Sequence, residues 1–229
     1  MTTSGTATFN LEIDDLITEA YERCGIESRS GYDLTTARRS LNLLFADWAN
    51  RGLNLWTIEQ RQVSLVVGQA EYTLPSDTVN ALSAVIRTGT GQNQQDITID
   101  RISRAEYLHL PDKNTQARPA QYYVERTISP KLYLYPAPDN AQPYIFRYYA
   151  IRRIEDVGAY TNTTDIVFRF LPCLVAGLAY YLALKVPNAY ERLADLKVIY
   201  DEAWDIAATE DREKASINLV PRRQFITTS

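Results

Sequence analysis

The chain has 229 residues, 45% apolar and 23% charged, with 24 Lys+Arg against 28 Asp+Glu and a formal net charge of -4. That length suits one elaborated domain or two small ones, and that composition can bury a normal core, which excludes wholesale disorder. The acidic balance excludes a general polyanion binder, because grip on phosphate backbones needs a net basic face; a local basic patch stays compatible with it.

After a Thr/Ser/Gly-rich lead, Leu11, Ile13, Leu16, Ile17, Ala20, Tyr21 and Cys24 recur at helical spacing. Asn10 is the expected N-cap of this helix and Gly25 its stop. A second helix is predicted from the stripe Leu34, Ala37, Leu41, Leu44, Phe45 and Trp48, capped by Asp33 and ended by Gly52. From Leu53 the period changes to two. Val63, Leu65 and Val67 alternate with polar residues, Gly68-Gln69 turns the chain into Tyr72-Thr73-Leu74, and Val79 to Arg87 reads as a further strand. The polar, glycine-bearing loop Thr88 to Gln95 is expected as an exposed tip on a rigid scaffold. Ser103-Arg104-Ala105-Glu106 is a capping box, so Ser103 to Leu110 is predicted as one short helix.

Three tyrosine-rich strands follow: Gln121 to Arg126, Lys131 to Tyr135 and Pro143 to Ile151. They are expected to run as a hairpin or meander, with the last placed centrally because it is apolar on both faces. Phe170 to Lys185 is apolar nearly all round and should be the most buried helix, with Pro172 in its first turn. Asn188 and Glu191 make a second cap for a long helix to about Lys214, buried through Leu193, Leu196, Tyr200, Ala203, Trp204 and Ala207 and solvated on its charged opposite face.

Neither helix pair buries its stripe alone, whereas four such helices make a bundle. The expected fold class is α+β. A discontinuous four-helix bundle (residues 8–52 and 162–214) carries an inserted antiparallel β domain (residues 53–161), followed by an extended C-terminal tail (residues 215–229). The tail has Arg222 and Arg223, no acidic residue, and the apolar anchors Ile217, Leu219, Val220, Phe225 and Ile226, while Pro221 forbids continuous helix. A segment of this kind can dock on a partner and order there. The 16 Tyr, against 6 Phe and 3 Trp, also point toward a surface that meets other surfaces.

The chemistry-bearing residues are sparse. His109 is the single histidine, so a Ser-His-Asp or Cys-His site would have to run through it, and no cysteine is near it in sequence. Cys24 and Cys173 read as small core hydrophobes, too few for a disulfide framework and suggestive of a reducing compartment. No CxxC, HExxH, GxGxxG or P-loop spacing occurs, so no metal, cofactor or phosphate site is expected. The start, MTTSGTATFN, lacks the marks of a secretory signal, and Leu171 to Val186 is broken by Pro172, Gly177 and Lys185, so no membrane span is expected. The alternative from another class is a nucleic-acid-binding module on the Tyr/Arg-rich strands, with Arg126, Lys131, Arg147, Arg152 and Arg153 as phosphate contacts.

Three segments together carry a resemblance. The first runs Ala37-Arg38-Arg39-Ser40-Leu41-Asn42, through Trp48-Ala49-Asn50-Arg51-Gly52 and Trp56, to Tyr72-Thr73-Leu74-Pro75-Ser76-Asp77. The second is Arg118-Pro119-Ala120-Gln121-Tyr122-Tyr123 with Leu132-Tyr133-Leu134-Tyr135-Pro136-Ala137-Pro138. The third is Phe170-Leu171-Pro172 with Ala176-Gly177-Leu178-Ala179-Tyr180-Tyr181-Leu182-Ala183. In this order and spacing, over roughly residues 8 to 212, the chain resembles the adaptor, or head-to-tail connector, proteins of tailed bacteriophages, including the tail tubular A type.

The resemblance implies a structural virion protein and not an enzyme. It implies a homo-oligomeric ring, commonly of twelve copies, beneath the portal protein, with the nozzle, other tail proteins or tail fibres attached below. DNA passes through such a ring without specific binding. On that view Leu219, Val220, Arg222, Arg223, Phe225 and Ile226 are the expected portal-docking residues, and Thr88, Gly89, Gly91 and Asn93 the β-domain contact with a neighbouring copy or a downstream tail protein.

Overall fold

The computed structural model describes residues 5, 9–26, 31–52, 55–159 and 161–212. Two hydrophobic cores organise these residues, one helical and one β.

The first helix, α1 (Ile13–Cys24), turns Ile13, Leu16, Ile17, Ala20, Tyr21 and Cys24 inward. Its stop is the expected one: Gly25 adopts φ 76°, and the Gly25 and Ile26 amides close the last turn onto Glu22 and Tyr21. Its start differs. The N-cap is Glu12, with no side-chain cap, because the Ile13 amide donates to the distant Asn162 carbonyl at 3.1 Å. A tertiary partner replaces the local cap assigned to Asn10. Helix α2 (Gly31–Asn50) begins two residues before Asp33, which therefore lies inside the first turn rather than capping it. The Asp33 carbonyl accepts from the Tyr21 hydroxyl at 3.0 Å and ties the two helices together.

Helices α4 (Leu171–Ala183) and α5 (Leu193–Glu210) complete the bundle, with α4 packed against α1, α2 and α5. Apart from half-buried Tyr180 and Tyr181, nearly every α4 residue is buried, as its all-round apolar sequence implies. At Gly177 an added Cβ would lie 2.8 Å from Tyr200 and 3.0 Å from Leu44, so the small residue sets how closely α5 and α2 approach. Two boundaries correct the sequence reading. α4 ends at Ala183, short of Lys185. The Asn188/Glu191 cap does not form either: Pro187–Arg192 is a 3₁₀ segment that runs directly into α5, and Arg192 at its N-cap position makes no side-chain cap.

The β region is a pair of four-stranded sheets. The first has the order β1-β8-β3-β4, from β1 (Ile58–Ser64), β8 (Tyr144–Arg152), β3 (Thr78–Thr88) and β4 (Gln95–Thr98), all antiparallel. The second has the order β2-β7-β6-β5, from β2 (Glu71–Thr73), β7 (Lys131–Tyr135), β6 (Gln121–Glu125) and β5 (Asp100–Arg101). β8 sits centrally, as expected, but the meander is broken: β6 and β7 pair as a hairpin while β8 crosses to the other sheet. The sheet set is also not wholly antiparallel. Asp100 and Arg101 pair in parallel with Gln121 and Tyr122, because the excursion through α3 (Arg104–His109) returns the chain in its original direction. The Ser103/Glu106 capping box of α3 is formed, both bonds present.

Between the sheets lie Tyr72, Ile86, Tyr122, Val124, Leu132, Leu134, Tyr144, Phe146 and Tyr148. Tyr122 and Phe146 meet edge to face, with centroids 5.5 Å apart. The tyrosine richness is thus in good part a core property and not only a surface one. The ring fills the sandwich while the hydroxyl reaches its rim: Tyr72 Oη accepts from the Val66 amide at 2.8 Å, and Tyr144 Oη donates to Asp139 at 2.9 Å.

Polar contacts join the two regions. Arg152 on β8 holds Asp165, with one of the two bonds at 2.9 Å, and the Glu155 amide donates to the same carboxylate at 3.2 Å. The Val157 carbonyl accepts from Arg38 at 3.0 Å and its amide donates to Asn42 at 2.9 Å, so the strand-to-helix connection is laid along α2. Trp56, before β1, packs on Phe170 of the bundle at 4.5 Å.

Candidate partner-binding surfaces

His109 and the two cysteines lie in different regions of the fold. His109 is exposed at the end of α3. Cys24 and Cys173 lie in the bundle core, and burial pushes both thiols up, that of Cys173 to about 12, so neither ionises near neutral pH. Among the described residues no group of three His, Cys, Asp or Glu could hold a metal ion, and no helix is long and apolar enough to cross a membrane.

The β3–β4 connection is a tight hairpin. The ladder runs to Thr88↔Gln95, and Gly89 (φ 79°) and Gly91 (φ 60°) supply the left-handed backbone that the turn needs. A side chain at Gly89 would lie 2.3 Å from the Asn93 carbonyl. Arg87 braces the base by a bidentate pair with Asp96, at 2.6 and 2.7 Å, and that guanidinium holds the Asp96 carboxyl below its ordinary range. Gly91, Gln92, Asn93 and Gln94 are exposed at the tip. Thr88 is turned inward and only 5% exposed, so it shapes the hairpin and offers no face to a partner.

The Tyr/Arg surface is largely satisfied from within the chain. Tyr107, Tyr123 and Tyr133 pack on one another, with centroids 5.2 to 5.9 Å apart, and Lys113 lies 5.6 Å over Tyr107. Of the proposed phosphate contacts, Lys131 pairs with Glu71 at 2.6 Å, Arg147 donates to Gln60 and Arg152 is held by Asp165. Arg126 and Arg153 line a shallow cavity of about 270 Å³ with Ile128. Lys131 and Arg152, already matched to carboxylates, have little charge left for a phosphate backbone, which weakens the nucleic-acid reading at those two positions.

A surface that the sequence pattern missed lies on α5. Its outward face was expected to be charged and solvated, yet Val198, Ile199 and Ile206 stand on it 56%, 48% and 70% exposed, among Asp195, Glu202 and Asp205. The buried stripe through Leu196, Tyr200 and Ala207 accounts for one side of the helix, and the alternating charges hid a second apolar strip on the other. Asking whether the leftover aliphatics also repeat every seven residues would have found it: Ile199 and Ile206 are one heptad apart.

The proposed docking residues Leu219, Val220, Arg222, Arg223, Phe225 and Ile226 lie outside the described residues. The place from which they depart is defined. Asp211, 5% exposed, accepts from the Leu55 amide at 2.7 Å and from Arg169, and so fixes the end of α5 beside the start of α4.

Against known proteins, a family model described as SU10 adaptor protein matches residues 11–223. No curated protein matches the chain.

Proposed function

The chain belongs to the SU10 adaptor protein family, a structural and non-enzymatic type of phage protein, and from that premise we propose that it forms the ring that joins a portal to the tail of a phage particle. In this reading neighbouring copies pack their helical bundles side by side in a head-to-tail contact that closes on itself, commonly after twelve copies, as in connectors of the tail tubular A kind. The nozzle or other tail proteins attach below. The ring seals the exit channel, and its acidic balance lets DNA pass without being gripped.

The observation that carries this reading is the exposed aliphatic strip of α5. Val198, Ile199 and Ile206 are about half exposed or more on a helix whose other side already fills the core, and a monomer gains nothing by presenting them to water. A ring neighbour covers them. The exposed 91–94 tip then meets an adjacent copy or the downstream protein, and Leu219, Val220, Arg222, Arg223, Phe225 and Ile226 dock on the portal.

The test separates the two contacts. Ile199→Asp with Ile206→Asp is expected to abolish rings while leaving the far-ultraviolet spectrum unchanged. Arg222→Glu with Arg223→Glu is expected to weaken capture by the portal in co-sedimentation and leave the bundle intact. Rings that form normally with both isoleucines replaced rule out α5 as the seam.

A further inference from the structure

A groove of about 480 Å³ runs between the outward face of α1 and the first turns of α4. Its floor is Leu171, Pro172 and Val175. Phe9 and Phe168 stand over one side in edge-to-face contact, with centroids 6.4 Å apart, and are 66% and 68% exposed. The rim is acidic: Asp15, Glu19 and Glu22 face a single cation, Arg23, which is paired with Glu19 at 2.9 Å. An apolar floor under two exposed rings, edged by carboxylates, is complementary to an apolar segment that carries positive charge.

The chain supplies such a segment and releases it at the right place. Arg169, which holds Asp211 at the end of α5, is the immediate neighbour of Phe168 on the groove wall. Residues 215–229 carry Arg222 and Arg223 with no acid, and Leu219, Val220, Phe225 and Ile226 as apolar contacts. Fifteen residues reach up to about 50 Å when extended, well beyond the roughly 18 Å length of a twelve-residue helix such as α1.

We propose that in the free protein this groove holds the chain's own C-terminal segment, residues 215–229, which a partner must draw out before the segment can dock elsewhere. The parking itself is independent of the ring. Only the identity of the competing partner, the portal, rests on the function proposed above. A parked segment keeps Phe225 and Ile226 out of water and withholds them until the competitor is present.

The experiment uses the full chain with Thr18→Cys, on the groove wall, and Phe225→Cys, oxidised mildly with diamide in the absence of any portal. Cys24 and Cys173 are buried and do not compete. A monomeric, fast-migrating disulfide product is expected, forming about ten-fold faster than from a control pair of Asn50→Cys with Phe225→Cys, because docking raises the effective concentration at the groove. Added synthetic peptide of residues 215–229, or the reversals Glu19→Lys and Glu22→Lys, is expected to slow it several-fold. Equal rates at Thr18 and Asn50, products that are mainly disulfide-linked dimers, or indifference to both peptide and charge reversal would each overturn the proposal. All three readings come without portal, so portal binding stands or falls separately.

Discussion

The bundle and the sandwich solve the same problem with different residues. The helical core is built on aliphatics and tryptophan, with Trp48 at its centre. Its ring packs against Phe45, Phe170 and Trp204 at 5.3 to 6.4 Å, and its indole N–H donates to the Tyr200 hydroxyl at 2.9 Å. The sandwich leans on tyrosine, with rings inward and the Tyr72 and Tyr144 hydroxyls bonded at the rim. A bundle with a closed core can present an outer helix face to a neighbour, whereas the sandwich spends its largest rings, Tyr122, Phe146 and Tyr148, on its own core. The two are coupled by the Arg152–Asp165 ion pair, by hydrogen bonds along the strand-to-helix connection and by connecting residues, Trp56, Ile154 and Val157, that pack on the helical core, while each keeps its own central cluster.

If the cores are separate, they should fail separately. Trp48→Ala is expected to have the largest effect, about 4–5 kcal/mol, because it opens a cavity and removes the indole N–H that donates to the buried Tyr200 hydroxyl. In urea the Cys24 and Cys173 thiols of that variant should become reactive before the sandwich loses its tyrosine signal. Phe146→Ala, fully buried in the sandwich, is expected to cost about 3–4 kcal/mol. It should leave both thiols protected when its β signal is lost, whereas coincident loss in both variants would mean one cooperative unit.

The junction gives smaller effects. Asp211→Ala removes the acceptor for the Leu55 amide and the partner of Arg169, with an expected cost of about 1–2 kcal/mol, read as a lowered urea midpoint at unchanged slope. Asp77 is smaller still. The hydrogen bonds and charge of Arg61 hold its carboxyl below the ordinary range. Its stabilisation is therefore present above the unfolded value near pH 4 and is lost as pH falls through the lower folded value. The side chain is 43% exposed, so solvent screening keeps the effect to at most about 1 kcal/mol. Asp77→Asn should flatten the acid limb of stability against pH and leave the region above pH 6 unchanged in slope.

The helices were legible in the sequence because their information is local. The stripes of α1 and α2, the Gly25 stop and the α3 capping box each lie within a few residues. What was not legible depends on distant partners. The start of α1 is set by the Asn162 carbonyl, the crossing of β8 by a sheet assembled from strands far apart in sequence, and the parallel β5–β6 pair by a nineteen-residue excursion (102–120). For the candidate surfaces, the 89–94 tip announced itself through its glycines. Inward-turned Thr88 and the apolar strip of α5 needed the packing before they could be assigned.

The measurement that bears most directly on the central claim is electron microscopy, with particle mass, of the full chain alone and mixed with its cognate portal. The adaptor account predicts closed rings seated on the portal. A chain that stays monomeric and leaves the portal bare would contradict the account.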